Sequence, residues 1–190
     1  MRRTSVFACL AACTAHTGCG GPPSVDPPQS LEIRPFRYEP PGIEVTPLGD
    51  GDSAALWHAP QGGFVLPIGA RVRGLDSTNI EIRARLRDTE TGDVFGEHVR
   101  VALMAELADE PGWLENDRRS ITQFAHVPLC STELSVNPLA IERTLSVSVL
   151  ELHADDSEAH TEVRISLRCP EEPPEVALAC ARECEPEHSP

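Results

Sequence analysis

The sequence predicts an all-β domain, an antiparallel β-sandwich with immunoglobulin-like topology favoured. Three observations carry this. Several stretches alternate apolar and polar residues with a period of two, which suits a half-buried strand. Turn-forming residues punctuate them. Most of these strands have one polar face, so two sheets burying a single layer between them is the economical arrangement.

Taken in order, Gly42 to Val45 and Ala54 to Trp57 are short strands. In Phe64-Val65-Leu66-Pro67-Ile68-Gly69-Ala70-Arg71-Val72-Arg73 the even positions are apolar and Arg71 and Arg73 are odd. Pro67 falls on the outward set, which suits an edge strand or a bulge. Ile80 to Arg87 alternates Ile, Ile, Ala and Leu against Glu81, Arg83, Arg85 and Arg87, and Asp88 to Asp93 forms a turn. On the returning strand Val99, Val101 and Leu103 form the inner face. Pairing Ile82 with Val99 sets Glu81 opposite Arg100 on the wet face, a cross-strand pair contributing ~0.2–1 kcal/mol. Met104 to Ala108 suits a helical turn, and Ile121 to Leu129 a further strand. In the last hairpin Leu145, Val147 and Val149 face Val163, Ile165 and Leu167 across an Asp155-Asp156-Ser157-Glu158 turn. A parity change at Val149-Leu150 predicts a β-bulge.

The ends read differently. Met1-Arg2-Arg3 precedes a largely apolar stretch from Thr4 to Ala15, and Gly18-Cys19-Gly20-Gly21-Pro22-Pro23 ends any helix. A basic start and a short apolar core are the pattern of a secretory signal. With its small residues before a cysteine, this segment resembles the signal peptide of bacterial lipoproteins. The resemblance implies that the cysteine becomes the acylated N-terminus and anchors the protein to a membrane. Leu10-Ala11-Ala12-Cys13 matches the family's box closely but leaves a very short signal. His16-Thr17-Gly18-Cys19 leaves a normal apolar run and an even number of other cysteines. Cys19 is therefore favoured, with Cys13 the alternative. The expected organisation is a signal peptide over 1–18, a Pro/Gly-rich tether over 19–30, the sandwich over 31–169, and an acidic, Pro-rich tail over 170–190.

Export implies an oxidising compartment, in which paired thiols become disulfides. Cys130 and Cys169 each end a strand at the same end of the sandwich and are expected to pair, leaving Cys180 with Cys184; a crossed pairing would staple the tail to the domain. The competing reading of the tail is a metal site of Cys180, Cys184 and His188, spaced every four residues, although Pro186 interrupts that helix.

The chain has 190 residues, with 16 Lys+Arg (all Arg) against 30 Asp+Glu and a net charge of −14. Such an acidic chain repels phosphate, which argues against nucleic-acid binding, and nothing after Cys19 is long and apolar enough to span a bilayer. His153 and His160 flank the last turn and are weak metal candidates. Gly49-Asp50-Gly51-Asp52-Ser53 lacks the further ligands of a calcium loop and reads as a plain turn. Ala59-Pro60-Gln61-Gly62-Gly63-Phe64 reads as a tight turn into a strand. It is similar to a turn of exported bacterial lipoproteins of unknown function, a resemblance that implies no activity. Gly-x-Ser-x-Gly, Gly-Lys-Ser/Thr and His-Glu-x-x-His motifs are absent. The expectation is a non-catalytic envelope lipoprotein without cofactor, at the cell surface or in the periplasm, that binds an envelope or extracellular protein or glycan. The alternatives are a structural envelope component and a metal-binding module.

Overall fold

The computed structural model describes residues 31–40, 42, 44–130, 137–139, 142–152 and 158–184. The expected signal peptide and tether, both lipidation candidates, His153 and His188 lie outside them. The described chain is mostly β, with strands β1 (Glu32–Glu39), β2 (Glu44–Pro47), β3 (Asp52–Ala55), β4 (Trp57–His58), β5 (Phe64–Arg73), β6 (Asn79–Asp88), β7 (Val94–Glu106), β8 (Trp113–Asn116), β9 (Ala125–Leu129), β10 (Arg143–Glu151) and β11 (Glu158–Arg168). Among the described residues there is one α-helix, α1 (Pro174–Cys184), and one 3-10 turn, Ile121–Gln123. The strands follow one hydrogen-bonded path, β2-β1-β5-β8-β7-β6-β10-β11-β3, with β4 and β9 also on β5. Pairing is antiparallel except that β3 joins β11 in parallel.

The alternation read for β6, β10 and β11 holds; on β5 the even positions are buried as expected, but Val65, Pro67 and Gly69 are buried as well, so its odd face turns outward only at Arg71 and Arg73. Leu66, Ile68, Val72, Ile80, Ile82, Leu86, Leu145, Val147, Val149 and Ile165 are all fully buried in one cluster. Burial of such side chains contributes ~1.5–3 kcal/mol each. Pro67 sits on an interior strand, not an edge. On one side it faces His126 of β9, whose own N–H is given to His98, and on the other it falls between the last β1 partner, Ile68, and the first β4 partner, Val65, so no ladder bond is lost with its missing N–H. β1, which the sequence did not announce, buries Phe36 and Tyr38 on Phe124 in a second small cluster. Tyr38 stacks on Phe124 with centroids 4.3 Å apart.

Several expectations are corrected. β7 runs one residue out of the anticipated register: Ile82 faces Arg100 and Glu81 faces Val101. Val99, Val101 and Leu103 are therefore exposed, while Gly96, Ala102 and Met104 are buried. A one-residue shift reverses every side chain on a strand. Its cause is visible at two places. The register jumps between Leu86 and Arg87, where Phe95 is the extra residue on β7, and β9 crosses so close that a Cβ on Gly96 would overlap the Pro128 carbonyl. Met104 to Glu106 is not a helical turn but continues β7 onto β8. No bulge occurs at Val149-Leu150, because Glu151 takes the inward place, 2% exposed, and accepts the Ser77 N–H. Ile121 to Gln123 is a 3-10 turn, and only Ala125–Leu129 is strand.

The cysteine pairing is also corrected. Cys130 bonds Cys184 and Cys169 bonds Cys180. Helix α1 sets Cys180 and Cys184 one turn apart on the face it buries, where Val176 and Ala179 also join the core. Cys130 and Cys169 do converge, but each meets a helix cysteine before the other. The bridges close separations of 54 and 11 residues, which in the chain-entropy account stabilises by roughly 4 and 3 kcal/mol. They also point to a location outside the reducing cytoplasm. No described helix is long and apolar enough to cross a membrane.

Candidate functional site

The register of β7 creates the most distinctive site. With Val99 and Val101 turned outward, His98 and Arg100 turn inward toward β9. There they line a cavity of about 300 Å³ with Trp57, Gln61, Thr122 and His126. The His98 and His126 rings stack with centroids 6.0 Å apart. The His126 backbone N–H donates to His98 Nδ1 at 3.1 Å, so neutral His98 carries its proton on Nε2. His126 Nε2 donates to the Ile121 carbonyl at 2.9 Å, which leaves its Nδ1 without a proton. Burial, reinforced by the charge of Arg100, pushes His98 below the usual imidazole value. Burial is the main cause for His126 too, with smaller downward contributions from His98 and Arg100 and an opposing one from the Ile121 bond. Both rings are accordingly neutral at pH 7.

Arg100 stands apart in charge. Its Nε donates to the Thr122 carbonyl. Among the described residues, it and Arg182 are the arginines without a carboxylate in ion-pair range. Those on the outer faces are matched: Arg83 with Glu81, Arg85 with Glu97, Arg87 with Glu162, Arg71 with Glu110 and Glu115. The buried Arg143 is held by Asp88 at 2.7 Å and lies 4.0 Å from the Phe95 ring centre.

Trp57 borders a second cavity, of about 460 Å³, lined by Arg37, Tyr38, Glu39, His58, Arg168 and the segment Pro170 to Pro173. Arg37 donates to Glu39 at 2.6 Å and to the Ala55 carbonyl at 3.2 Å, while its Nε is buried without a partner. Arg168 pairs with Glu171 at 2.8 Å. The Pro170 to Pro173 wall lies inside the loop closed by Cys169–Cys180, so this bridge fixes one side of the cavity. Trp57 itself is half-buried, the common wall of both cavities.

The residues singled out from sequence fare differently. The sulfurs of Cys169, Cys180 and Cys184 lie within 4.8 Å of one another, but each is spent in a disulfide and offers no thiolate to a metal. His160 faces Ser148 on an exposed edge and lies 3.3 Å from Glu162. Asp50 accepts the Arg164 N–H and Asp52 the Gly49 N–H, so that turn is held by its own carboxylates. Gly62 and Gly63 adopt φ +93° and +79°, the left-handed turn that only glycine enters freely, and Gln61 beside them lines the smaller cavity. Trp57, His98, Arg100 and His126 were not anticipated. The signal was available in part, since His98 and Arg100 share one strand face at alternate positions, but the three valine and leucine residues beside them outweighed it. No family model matches the chain, and no curated protein matches it in sequence; its function must be read from this geometry.

Proposed function

We propose that this protein is an exported, lipid-anchored envelope module that binds a ligand, without catalysis, in the double cleft around Trp57. The observation that carries the reading is Trp57 itself, a half-buried indole shared by two cavities whose rims are charged. A mostly apolar hollow with a few converging polar groups is the usual form of a ligand site, and an indole offers a large, rigid contact surface with little entropy to lose. The two disulfides support export, and the N-terminal cysteine, Cys19 or Cys13, supplies the anchor; several acyl chains hold far better than one. The domain is an immunoglobulin-like sandwich, with β1, β2, β4, β5, β8 and β9 as one layer and β3, β6, β7, β10 and β11 as the other. One hydrophobic cluster drawing on both groups supports that arrangement.

Two measurements test this. Cells fed a fatty-acid analogue label the full chain, and Cys19→Ser removes the label; loss with Cys13→Ser instead moves the anchor. With both candidate anchor cysteines replaced (Cys13→Ser and Cys19→Ser), so that no acyl chain holds it, the full chain is retained on isolated envelope, and Trp57→Ala in that background lowers retention at least about tenfold with its unfolding midpoint little changed. Equal retention of the two proteins rejects the cleft as the binding site.

A further inference from the structure

Resting on the cleft reading, we propose that the smaller cavity is an oxyanion site in which Arg100, His98 and His126 hold a carboxylate or phosphate group of the ligand, with Trp57 beside it covering the ring or apolar part. The charge arrangement leads to this. In a chain of net charge −14, Arg100 is turned away from the outer face, where Arg83, Arg85 and Arg87 are each matched by a glutamate, and into a cavity whose lining residues include no carboxylate. Glu81, the partner a simple alternation would give it, pairs with Arg83 instead, and Glu97 pairs with Arg85. A guanidinium kept unmatched in a half-buried hollow is a ready partner for a planar oxyanion. His98 presents an Nε2–H donor, fixed by the bond its Nδ1 accepts from His126. The Thr122 hydroxyl and the Gln61 amide are further groups on the rim.

The same geometry couples binding to a proton. The charged and titratable groups around the cavity are Arg100 and His98 from β7 and His126 from β9; His58 of β4 lines the other cavity. His98 Nδ1 is occupied as an acceptor, so a proton taken from solvent goes to the free Nδ1 of His126. An anion beside Arg100 offsets the positive charge that opposes this protonation. Binding therefore raises the His126 titration midpoint, and affinity increases as pH falls toward that midpoint.

The test uses the full chain with inorganic phosphate, glucuronate and neutral glucose as probes. It is read by the ring-proton resonances of His98 and His126 and by Trp57 fluorescence; the other tryptophan, Trp113, is only 4% exposed. Phosphate or glucuronate is expected to shift both histidines saturably and to raise the His126 midpoint, with glucose doing neither. Saturation by phosphate alone assigns a phosphate source, by glucuronate alone a carboxylate. Arg100→Gln is expected to weaken binding roughly 10- to 100-fold and, without ligand, to raise the His126 midpoint. Glucose binding as well as glucuronate, Arg100→Gln binding as well as the parent, or no saturable shift with either anion overturns the proposal. If Arg100→Gln keeps the envelope retention that Trp57→Ala loses, the oxyanion site fails while the cleft stands. If neither substitution lowers retention, the cleft fails first.

Discussion

Strands β10 and β7 flank β6 on opposite sides, and they treat their apolar residues in opposite ways. On β10, Leu145, Val147 and Val149 point into the core, and Thr144, Ser146 and Ser148 point out. On β7, Val99, Val101 and Leu103 are 39%, 53% and 56% exposed, and the inner face is Gly96, His98, Arg100 and Ala102. β10 has room on its inner side and fills it with hydrocarbon. β7 is crossed by β9, and where the two backbones meet only a glycine fits. Further along, the space between them is a cavity walled by imidazole and guanidinium. Hydrophobic periodicity reports which side of a strand is apolar; the side that faces the core is also decided by what else crosses there.

Truncating equivalent leucines on the two strands gives the widest separation. Leu145→Ala is expected to cost ~2–5 kcal/mol, as a buried leucine does. Leu103→Ala should stay within about 0.5 kcal/mol, as an exposed one does. Urea unfolding of the two variants measures both. A Leu103→Ala loss as large as that of Leu145→Ala would restore the alternation first expected for β7 and empty the cavity of Arg100.

Gly96 sharpens the comparison. Gly96→Val sets a side chain against the Pro128 carbonyl and Val127, and because backbone must move the cost is about 1–3 kcal/mol or more. The same substitution at Gly92 meets nothing within 4 Å, and its cost is the φ of +78° alone. Equal losses at the two glycines would show that the crossing of β9 does not fix the register.

Much of the framework was legible. β5, β6, β10 and β11 follow from alternation, and the Asp88 to Asp93 turn from its composition; there the Asp88 carboxylate accepts the Glu90 and Thr91 N–H groups at 2.8 Å each. Local pattern and tertiary burial agree in β6, β10 and β11. β1 is hard to read because its alternation is short, Phe36 and Tyr38 against Arg37 and Glu39, while Ile33 falls on the opposite parity and packs against the other cluster. Helix α1 reads as a tail in the sequence because its acidic, Pro-rich start masks a narrow apolar face of Val176, Ala179, Cys180 and Cys184. The site was the least legible part. Its four principal residues come from β4, β7 and β9, and the inward turn of His98 and Arg100 depends on a bulge at Phe95 and a close approach at Pro128. Neither leaves a mark in spacing along the chain.

Acid titration separates the two sides of β6 by the smallest effect. Next to β10, Asp88 is held below the usual carboxylate range by the N–H groups of Thr91 and Glu90 first, and also by Arg143. Its contribution is present above about pH 3.8 and is lost as pH falls further. Next to β7, His98 and His126 are held below the usual imidazole value, mainly by burial. Above about pH 6.5 folded and unfolded chains both carry them neutral, and they add no pH dependence. Below it the unfolded chain takes up protons that the fold resists, so stability declines until pH has passed through the lowered folded-state values. Urea midpoints recorded from about pH 8 to about pH 3 should therefore fall in two stages. His126→Gln is expected to flatten the upper stage and Asp88→Asn the lower. An upper stage that persists unchanged in both His98→Gln and His126→Gln would place its origin outside the cavity and remove the burial assigned to these two rings.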